Sequence, residues 1–328
     1  MTVSNADLMQ LAVQVGERAR YHAPPNPWVG ALIVGEHGVV LAEGHTQVPG
    51  EAHAEIAALR RAGEQARGAT MVVTLEPCCH VGRTGPCTEA IIKAGIKKVI
   101  VGTIDPDARV AGAGIELLRA SGVDVEVGVE EELVRGQLAP YLWHRVTGRP
   151  YVVAKIASTL DGVVAMADGT SKWITGEPAR RDAHVVRAQS QAIIVGAGTV
   201  RSDDPQLTAR LDDIVLEPLR VVLGQAPENA RVRPCLERSG DLGFILDELA
   251  HHDVLQVLLE GGPTTMSAFF AQGLVNHVVW YQAPAFAGSD GTAGALRSLS
   301  TSTISALRRG RLVDVRRIGE DIRIDVEV

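Results

Sequence analysis

His53 is followed two residues later by Glu55, and downstream stand Pro77-Cys78 and then Cys87. This set constrains the fold more than anything else in the chain, because an imidazole and two distant thiols must meet at one point. They are zinc donor types, and three protein ligands leave the ion one open position that water can fill. Zinc-bound water has a pKa of about 7, so hydroxide is available at neutral pH. Glu55 is then free to shuttle protons. Such a set suits hydrolytic deamination of an amidine-like carbon in a nucleobase-type ring. His-x-Glu alone carries no weight, and two Cys separated by eight residues also suit structural zinc or buried thiols. The ordered set, with Pro before the first Cys, favours deamination. Cys79 and His80 read as supporting residues.

Helical and strand patterns alternate throughout, which argues an α/β fold. Leu8, Leu11, Ala12 and Val15 recur at helical spacing. Residues 29–34 and 39–42 read as a hairpin, 53–66 as a helix, and 70–75 as a strand entering Glu76-Pro77-Cys78. Pro77 is placed to open a helix, so two helix N-termini, at His53 and Cys78, would converge on the ion. Their dipoles would favour thiolate and hydroxide. A helix over 88–94, strands at 98–101 and 123–127, and a helix over 112–121 follow. One helix and a junction occupy 130–147, and Gly148-Arg149-Pro150 opens a new strand at 151–157. This spacing predicts domains at 1–147 and 148–328.

The second half repeats the alternation, with strands near 191–195, 219–223, 254–260 and 276–283. Gly196-Ala197-Gly198 follows a strand but lacks the third glycine of a dinucleotide fingerprint. Leu259-Glu260-Gly261-Gly262-Pro263-Thr264 ends an apolar run and opens a helix over 265–272. Backbone N–H groups there could hold phosphate, or the glycines could simply join strand to helix. Arg180, Arg181, Arg187, Arg201 and Arg210 could pair with phosphates or solvate a face.

The net charge of −7 and the lack of a Lys/Arg-rich run speak against a nucleic-acid partner. No apolar stretch approaches the roughly 20 residues needed to span a bilayer. The N-terminus lacks a basic start and an apolar signal core, so the expectation is a cytoplasmic protein. Cys78, Cys79 and Cys87 cluster while Cys235 stands apart, which is no disulfide framework. Two other function classes stay in view. A nucleic-acid-editing deaminase is disfavoured by the charge. A zinc-stabilised protein without activity predicts that Glu55 is dispensable.

Pro25-Asn26-Pro27-Trp28-Val29-Gly30, Gly50-Glu51-Ala52-His53-Ala54-Glu55 and TLEPCCHVGRTGPC at 74–87 together resemble the bifunctional riboflavin-biosynthesis deaminase–reductase family. So do KIASTLDG, SKWIT, ARRDAHVVRAQS, VGAGTV, DDPQLTAR and LLEGGPT, in that order. The resemblance implies a cytidine-deaminase-like first domain and a dihydrofolate-reductase-like second domain. By it, His53, Cys78 and Cys87 ligate zinc and Glu55 is the proton shuttle. Asn26 and the loop between Cys78 and Cys87 would contact a phosphorylated pyrimidine. In the second domain NADPH would meet Ala157, Trp173, Thr199, Asp203, Gly262, Pro263, Thr264, Thr265, Met266, Ser267 and Ala268. Substrate would meet Ser171, Arg187, Leu207, Arg210 and Glu260. Lys155, Asp203 and Glu260 are candidates for steering hydride and proton transfer. The family's reactions are deamination of 2,5-diamino-6-ribosylamino-4(3H)-pyrimidinone 5′-phosphate and NADPH-dependent reduction of its ribosyl group. A homodimer packed largely through the second domain is also implied. The chain departs from the family at Thr46, where a His is common and here stands one earlier as His45. It departs also at Cys79, Gly85 and Trp28, and in the short region 211–253.

Overall fold

Ser4 caps the first helix, α1 (Asn5–Glu17): its hydroxyl accepts the Asp7 N–H at 3.1 Å, and the Asp7 carboxylate accepts the Ser4 N–H. In this computed structural model, residues 3–80, 85–211, 217–288, 290, 292–297 and 303–328 are described. Part of the loop between Cys78 and Cys87, residues 81–84, therefore lies outside them, as does part of the short 211–253 region. The chain divides into two compact units, Met1–Gly148 and Arg149–Val328.

In the first unit α1 is followed by β1 (Gly30–Val34), β2 (Val40–His45), α2 (Ala54–Ala62), β3 (Thr70–Leu75), α3 (Cys87–Ala94), β4 (Lys98–Thr103), α4 (Ala113–Ala120), β5 (Asp124–Val127), α5 (Glu131–Gln137) and α6 (Ala139–Thr147). The sheet order is β2-β1-β3-β4-β5. β1 pairs antiparallel with β2 and β3, whereas β3-β4 and β4-β5 are parallel. Parallel pairing needs crossover connections, and α3 and α4 supply them. β1 is buried along its whole length, which explains its unbroken apolar sequence. α1 packs its buried Leu8, Met9, Ala12 and Val15 on this sheet. Gly44 sets the position of α2: a Cβ there would lie 2.3 Å from the Ala54 carbonyl and 2.4 Å from the Ala58 nitrogen. Only a bare backbone lets α2 lie this close to β2.

The second unit runs β6 (Tyr151–Ser158), β7 (Val163–Ala165), α7 (Glu177–Ala188), β8 (Ala192–Gly196), α8 (Ala197–Asp203), β9 (Leu219–Leu223), β10 (Leu236–Arg238), α9 (Leu242–Ala250), β11 (Gln256–Leu259), α10 (Pro263–Ala271), β12 (His277–Gln282), β13 (Ala293–Gly294), β14 (Arg311–Ile318) and β15 (Asp321–Glu327). Its main sheet has the order β10-β9-β8-β11-β6-β12-β15-β14. Pairing is parallel from β10 to β12 and antiparallel through β15 and β14. Leu242, Ile245, Leu246 and Leu249 of α9 and Met266, Phe269 and Phe270 of α10 pack on Val152, Ala154, Ile194, Val257 and Leu259. Each Leu, Ile, Val, Met or Phe among them contributes about 1.5–3 kcal/mol by leaving water.

Two local expectations are overturned. Pro77 does not open a helix: residues 76–79 are irregular, and the second helix N-terminus at the cluster is that of α3, which begins at Cys87 after Pro86. The reason is that the Cys78 carbonyl accepts the Thr88 N–H at 3.2 Å and the Thr88 hydroxyl at 3.3 Å, so it is taken by a distant partner. Where one helix and a junction were expected over 130–147 there are two helices, broken at Leu138 (φ −93°, ψ 9°) ahead of Pro140 in the first turn of α6.

Candidate functional site

His53 is the N-cap of α2, Cys78 lies just past β3, and Cys87 is the first residue of α3. Three segments scattered in sequence therefore meet where two helices begin. The His53 Nδ1 atom lies 3.6 Å from Cys78 Sγ and 3.4 Å from Cys87 Sγ. A tetrahedral zinc with ordinary Zn–S and Zn–N bonds sets N and S ligands about 3.6 Å apart. One nitrogen and two sulfurs at this spacing fit zinc. Among the described residues this trio is the group of His, Cys, Asp or Glu side chains that could hold a metal ion. Cys79 is outside it, its thiol directed at the Arg109 carbonyl at 3.8 Å.

The cluster's electrostatics favour a thiolate. The Cys87 thiol and backbone N–H and the His53 ring hold Cys78 down at about 4, against the opposing effect of burial. Pairing with Cys78 lifts His53 to about 8, and the Cys87 thiol is pushed up by Cys78 and by its own burial. Glu55, in the first turn of α2, is 4% exposed. Burial raises its carboxyl to about 7, with Cys78 adding to the rise and His53 opposing it. A carboxyl titrating there can both take and give a proton at neutral pH.

Asn26 stands in the connection from α1 to β1, its N–H bonded to the Ala23 carbonyl. Thr46 is buried, and its hydroxyl donates to the Pro27 carbonyl at 2.8 Å and accepts the Val29 N–H at 3.0 Å. It staples the loop that carries Asn26 to the end of β2.

In the second unit a cleft of about 1180 Å³ opens beside β6, β8 and β11. It gathers Lys155, Ala157, Ser171, Trp173, Arg187, Thr199, Asp203, Leu207, Arg210 and Glu260, together with Gly262, Pro263, Thr264, Thr265 and Met266. Ser267 and Ala268 are not among its lining residues. Helical periodicity turns them inward: Ser267 is 6% exposed, and Ala268 packs on the core. Gly262 is the N-cap of α10, and its N–H donates to Thr199 Oγ1 at 3.1 Å. A Cβ on Gly261 would lie 2.7 Å from that of Thr265. The turn is thus bare backbone at a helix N-terminus, a form that admits phosphate.

The Glu260 side chain, 8% exposed in the cleft floor, accepts two bonds from Arg187, at 2.5 Å from Nε and 2.8 Å from Nη2. Lys155 Nζ lies 3.9 Å away. Burial would raise this carboxyl, but Arg187 and Lys155 outweigh it and hold the group at about 2. Arg187 also donates from Nη1 to the Thr208 carbonyl. Its fork is therefore engaged by Glu260 rather than turned to a phosphate. His184 and Arg231 are among the lining residues that were not singled out from sequence. His184 is three positions before Arg187 on the same face of α7, a spacing that could have marked it. Arg231 lies in a loop with no local signal.

A sulfur-and-imidazole cluster at two helix N-termini, with a buried carboxyl beside it, and a separate phosphate-admitting α/β cleft define a zinc-deaminase unit joined to a reductase unit. The family model for the cytidine and deoxycytidylate deaminase zinc-binding region matches residues 3–103, and that for the RibD C-terminal domain matches 150–324. The riboflavin biosynthesis protein RibD of Chlamydia trachomatis serovar D is 42% identical, over 91% of this chain and 89% of the relative. That of Mycobacterium tuberculosis H37Rv is 40% identical, over 98% and 96%. The solved Acinetobacter baumannii RibD, form 1, superposes with a TM-score of 0.91 at 38% identity, covering 98% of both chains. A Thermotoga maritima diaminohydroxyphosphoribosylaminopyrimidine deaminase/5-amino-6-(5-phosphoribosylamino)uracil reductase gives 0.87 at 33%, also covering 98% of both. The chain belongs to the RibD family of bifunctional deaminase–reductases of riboflavin biosynthesis. Among the described residues no helix is long and apolar enough to cross a membrane.

Proposed function

We propose that the chain deaminates 2,5-diamino-6-ribosylamino-4(3H)-pyrimidinone 5′-phosphate at its 2-amino carbon and then reduces the ribosyl group to ribityl with NADPH. The observation that carries the first step is the His53–Cys78–Cys87 spacing with Glu55 buried beside it. Zinc held by those three residues would supply a water acidic enough to attack at neutral pH. Glu55 takes the proton released in the attack and delivers it to the ring nitrogen. It then takes the remaining proton from the hydroxyl now on the carbon and passes it to the amino group, which departs as ammonia, a sequence open to a carboxyl near pH 7.

A nicotinamide cofactor held in the cleft would supply the hydride for the opened sugar carbonyl. Lys155 provides the positive charge beside the alkoxide that develops. Glu260 remains ionised and holds Lys155 and Arg187 in place, so protonation falls to Lys155 rather than to Glu260. Ser171, Leu207 and Arg210 line the wall offered to substrate. Ala157, Trp173, Thr199, Asp203 and the turn at 262–266 line the part offered to cofactor. Arg201 and Arg231 also line the cleft and form no ion pair among the described residues. Lys172, Arg180 and Arg210 line the cleft in the same way and likewise form no ion pair among the described residues, so several cations can meet a 2′-phosphate, which favours NADPH over NADH.

The unpaired cysteines suit a reducing cytoplasm, and the reading carries a homodimer, to be checked by light scattering. The deciding experiment incubates purified protein with the diaminopyrimidine substrate. One mole of ammonia per substrate should be released, followed by NADPH oxidation that NADH supports poorly. Zinc is measured on the same sample. Absence of ammonia release from zinc-replete protein sinks the first assignment. Equal use of NADH sinks the role given to these cations.

A further inference from the structure

Glu76 takes no part in the chemistry above, yet it is 3% exposed and stands two residues before Cys78. Its backbone N–H continues the sheet by donating to the Thr103 carbonyl at 3.0 Å. Its carboxylate turns the other way and accepts four backbone N–H groups. One oxygen takes those of Asp105 at 3.3 Å and Gly112 at 3.0 Å, and the other those of Gly114 at 3.0 Å and Ile115 at 3.2 Å. The last two belong to the first turn of α4, so Glu76 caps a helix it is not part of.

The segment held this way lies directly against the metal loop. A Cβ on Gly114 would be 2.2 Å from the Pro77 carbonyl oxygen and 3.1 Å from a Glu76 oxygen. The Arg109 carbonyl meets the Cys79 thiol. Asp107 clasps the Arg109 side chain at 2.9 and 2.6 Å, and Asp105 accepts the Asp107 N–H at 2.9 Å and the Tyr141 hydroxyl at 3.1 Å. Cys78 is thus fixed from two sides. Thr88 and Cys87 of α3 bind its carbonyl and sulfur, and the 105–115 segment walls in the residues around it.

We propose that Glu76 is a positioning residue of the metal centre. By gathering four N–H groups it locks the 105–115 segment against Pro77 and so sets where the Cys78 thiolate stands relative to His53 and Cys87. This rests on the zinc reading of the cluster. Residues that orient metal ligands without touching the ion typically change metal affinity or activity by about 10- to 100-fold when altered.

The test compares wild type with Glu76→Gln, which keeps one carbonyl acceptor of the two oxygens, and with Glu76→Asp, which keeps the charge but shortens the reach. Zinc release to a chromophoric chelator is timed, and the ligand-field spectrum of the cobalt-substituted full chain is recorded. Deamination kcat and KM are measured, with reduction of supplied deaminated substrate as the internal control. The expected result is zinc release faster by about 10-fold or more and an altered cobalt spectrum. kcat should fall more than KM changes, and reduction should be untouched. If Glu76→Gln does not fold, Glu76→Asp decides by the same readings. Folded variants that release zinc at the wild-type rate, with an unchanged cobalt spectrum and kcat, overturn the proposal, whatever happens to their melting temperature. Wild-type protein that takes up neither metal strikes the zinc reading instead.

Discussion

Glu55 and Glu260 are both carboxyls with little exposure at the heart of a site, and their pKa values are shifted in opposite directions. Glu55 is raised to about 7 and Glu260 lowered to about 2. Burial pushes both upward. The difference lies in what faces them: Glu55 sits beside the Cys78 thiolate, while Glu260 is clasped by Arg187 at 2.5 and 2.8 Å. A paired cation outweighs desolvation in one domain, and a neighbouring anion reinforces it in the other. One carboxyl is thereby suited to moving protons and the other to holding cations.

The sharpest break of this contrast is Glu55→Gln. Ammonia release should fall by about 10²- to 10⁴-fold, with zinc content and reduction of supplied deaminated substrate unchanged. Ammonia release at the wild-type rate would end the assignment of Glu55 as proton carrier. Next in size, Arg187→Met leaves Glu260 buried without its main counter-charge. Removing one partner of a buried pair costs about 3–5 kcal/mol, read from urea unfolding of the second domain, and reduction should fail with it. The double variant Arg187→Met/Glu260→Met should recover much of that loss. If it is no more stable than the single variant, the cost of Arg187→Met is lost packing rather than a stranded charge.

The smallest effect is a pH dependence. Because the folded Glu260 carboxyl titrates below its ordinary 4.5, its contribution to stability is complete above about pH 4.5. That contribution drains away as pH falls toward 2. Glu260→Gln should flatten the unfolding free energy over that window, and a slope equal to that of wild type would contradict the pairing.

The meeting of His53, Cys78 and Cys87 was legible in the chain because metal ligation demands particular atoms, and few residue types supply them. Strands such as β1, β3 and β6 were legible because apolar runs betray burial on both faces. The misplaced helix start at Pro77 has a different cause. Local residue preference suggested it, but Thr88 bonding to the Cys78 carbonyl decided it. The β14–β15 hairpin escaped notice although Val313 and Val315, and after a Gly319 turn at φ +62° Ile322, Ile324 and Val326, alternate with charged residues. The density of Arg and Asp hid that period-2 pattern. α9 was passed over too, although Asp241 caps it by accepting the Phe244 N–H at 2.8 Å.

The sequence alone determined which chemistry is available: two thiols, an imidazole and a carboxyl for the metal centre, and a glycine turn with nearby Arg and Lys for the cleft. Tertiary structure decided what each group does. Arg187 reads from sequence as either a phosphate partner or a solvated surface cation, and it becomes the partner of Glu260 once α7 lies beside the end of β11. Glu76 carries no signal beyond its place before Cys78, yet its carboxylate gathers N–H groups 29 to 39 residues away. Identity fixes a side chain's donors, acceptors and ordinary pKa. Its neighbours across the fold fix which of them are spent, which are shifted and which remain for substrate.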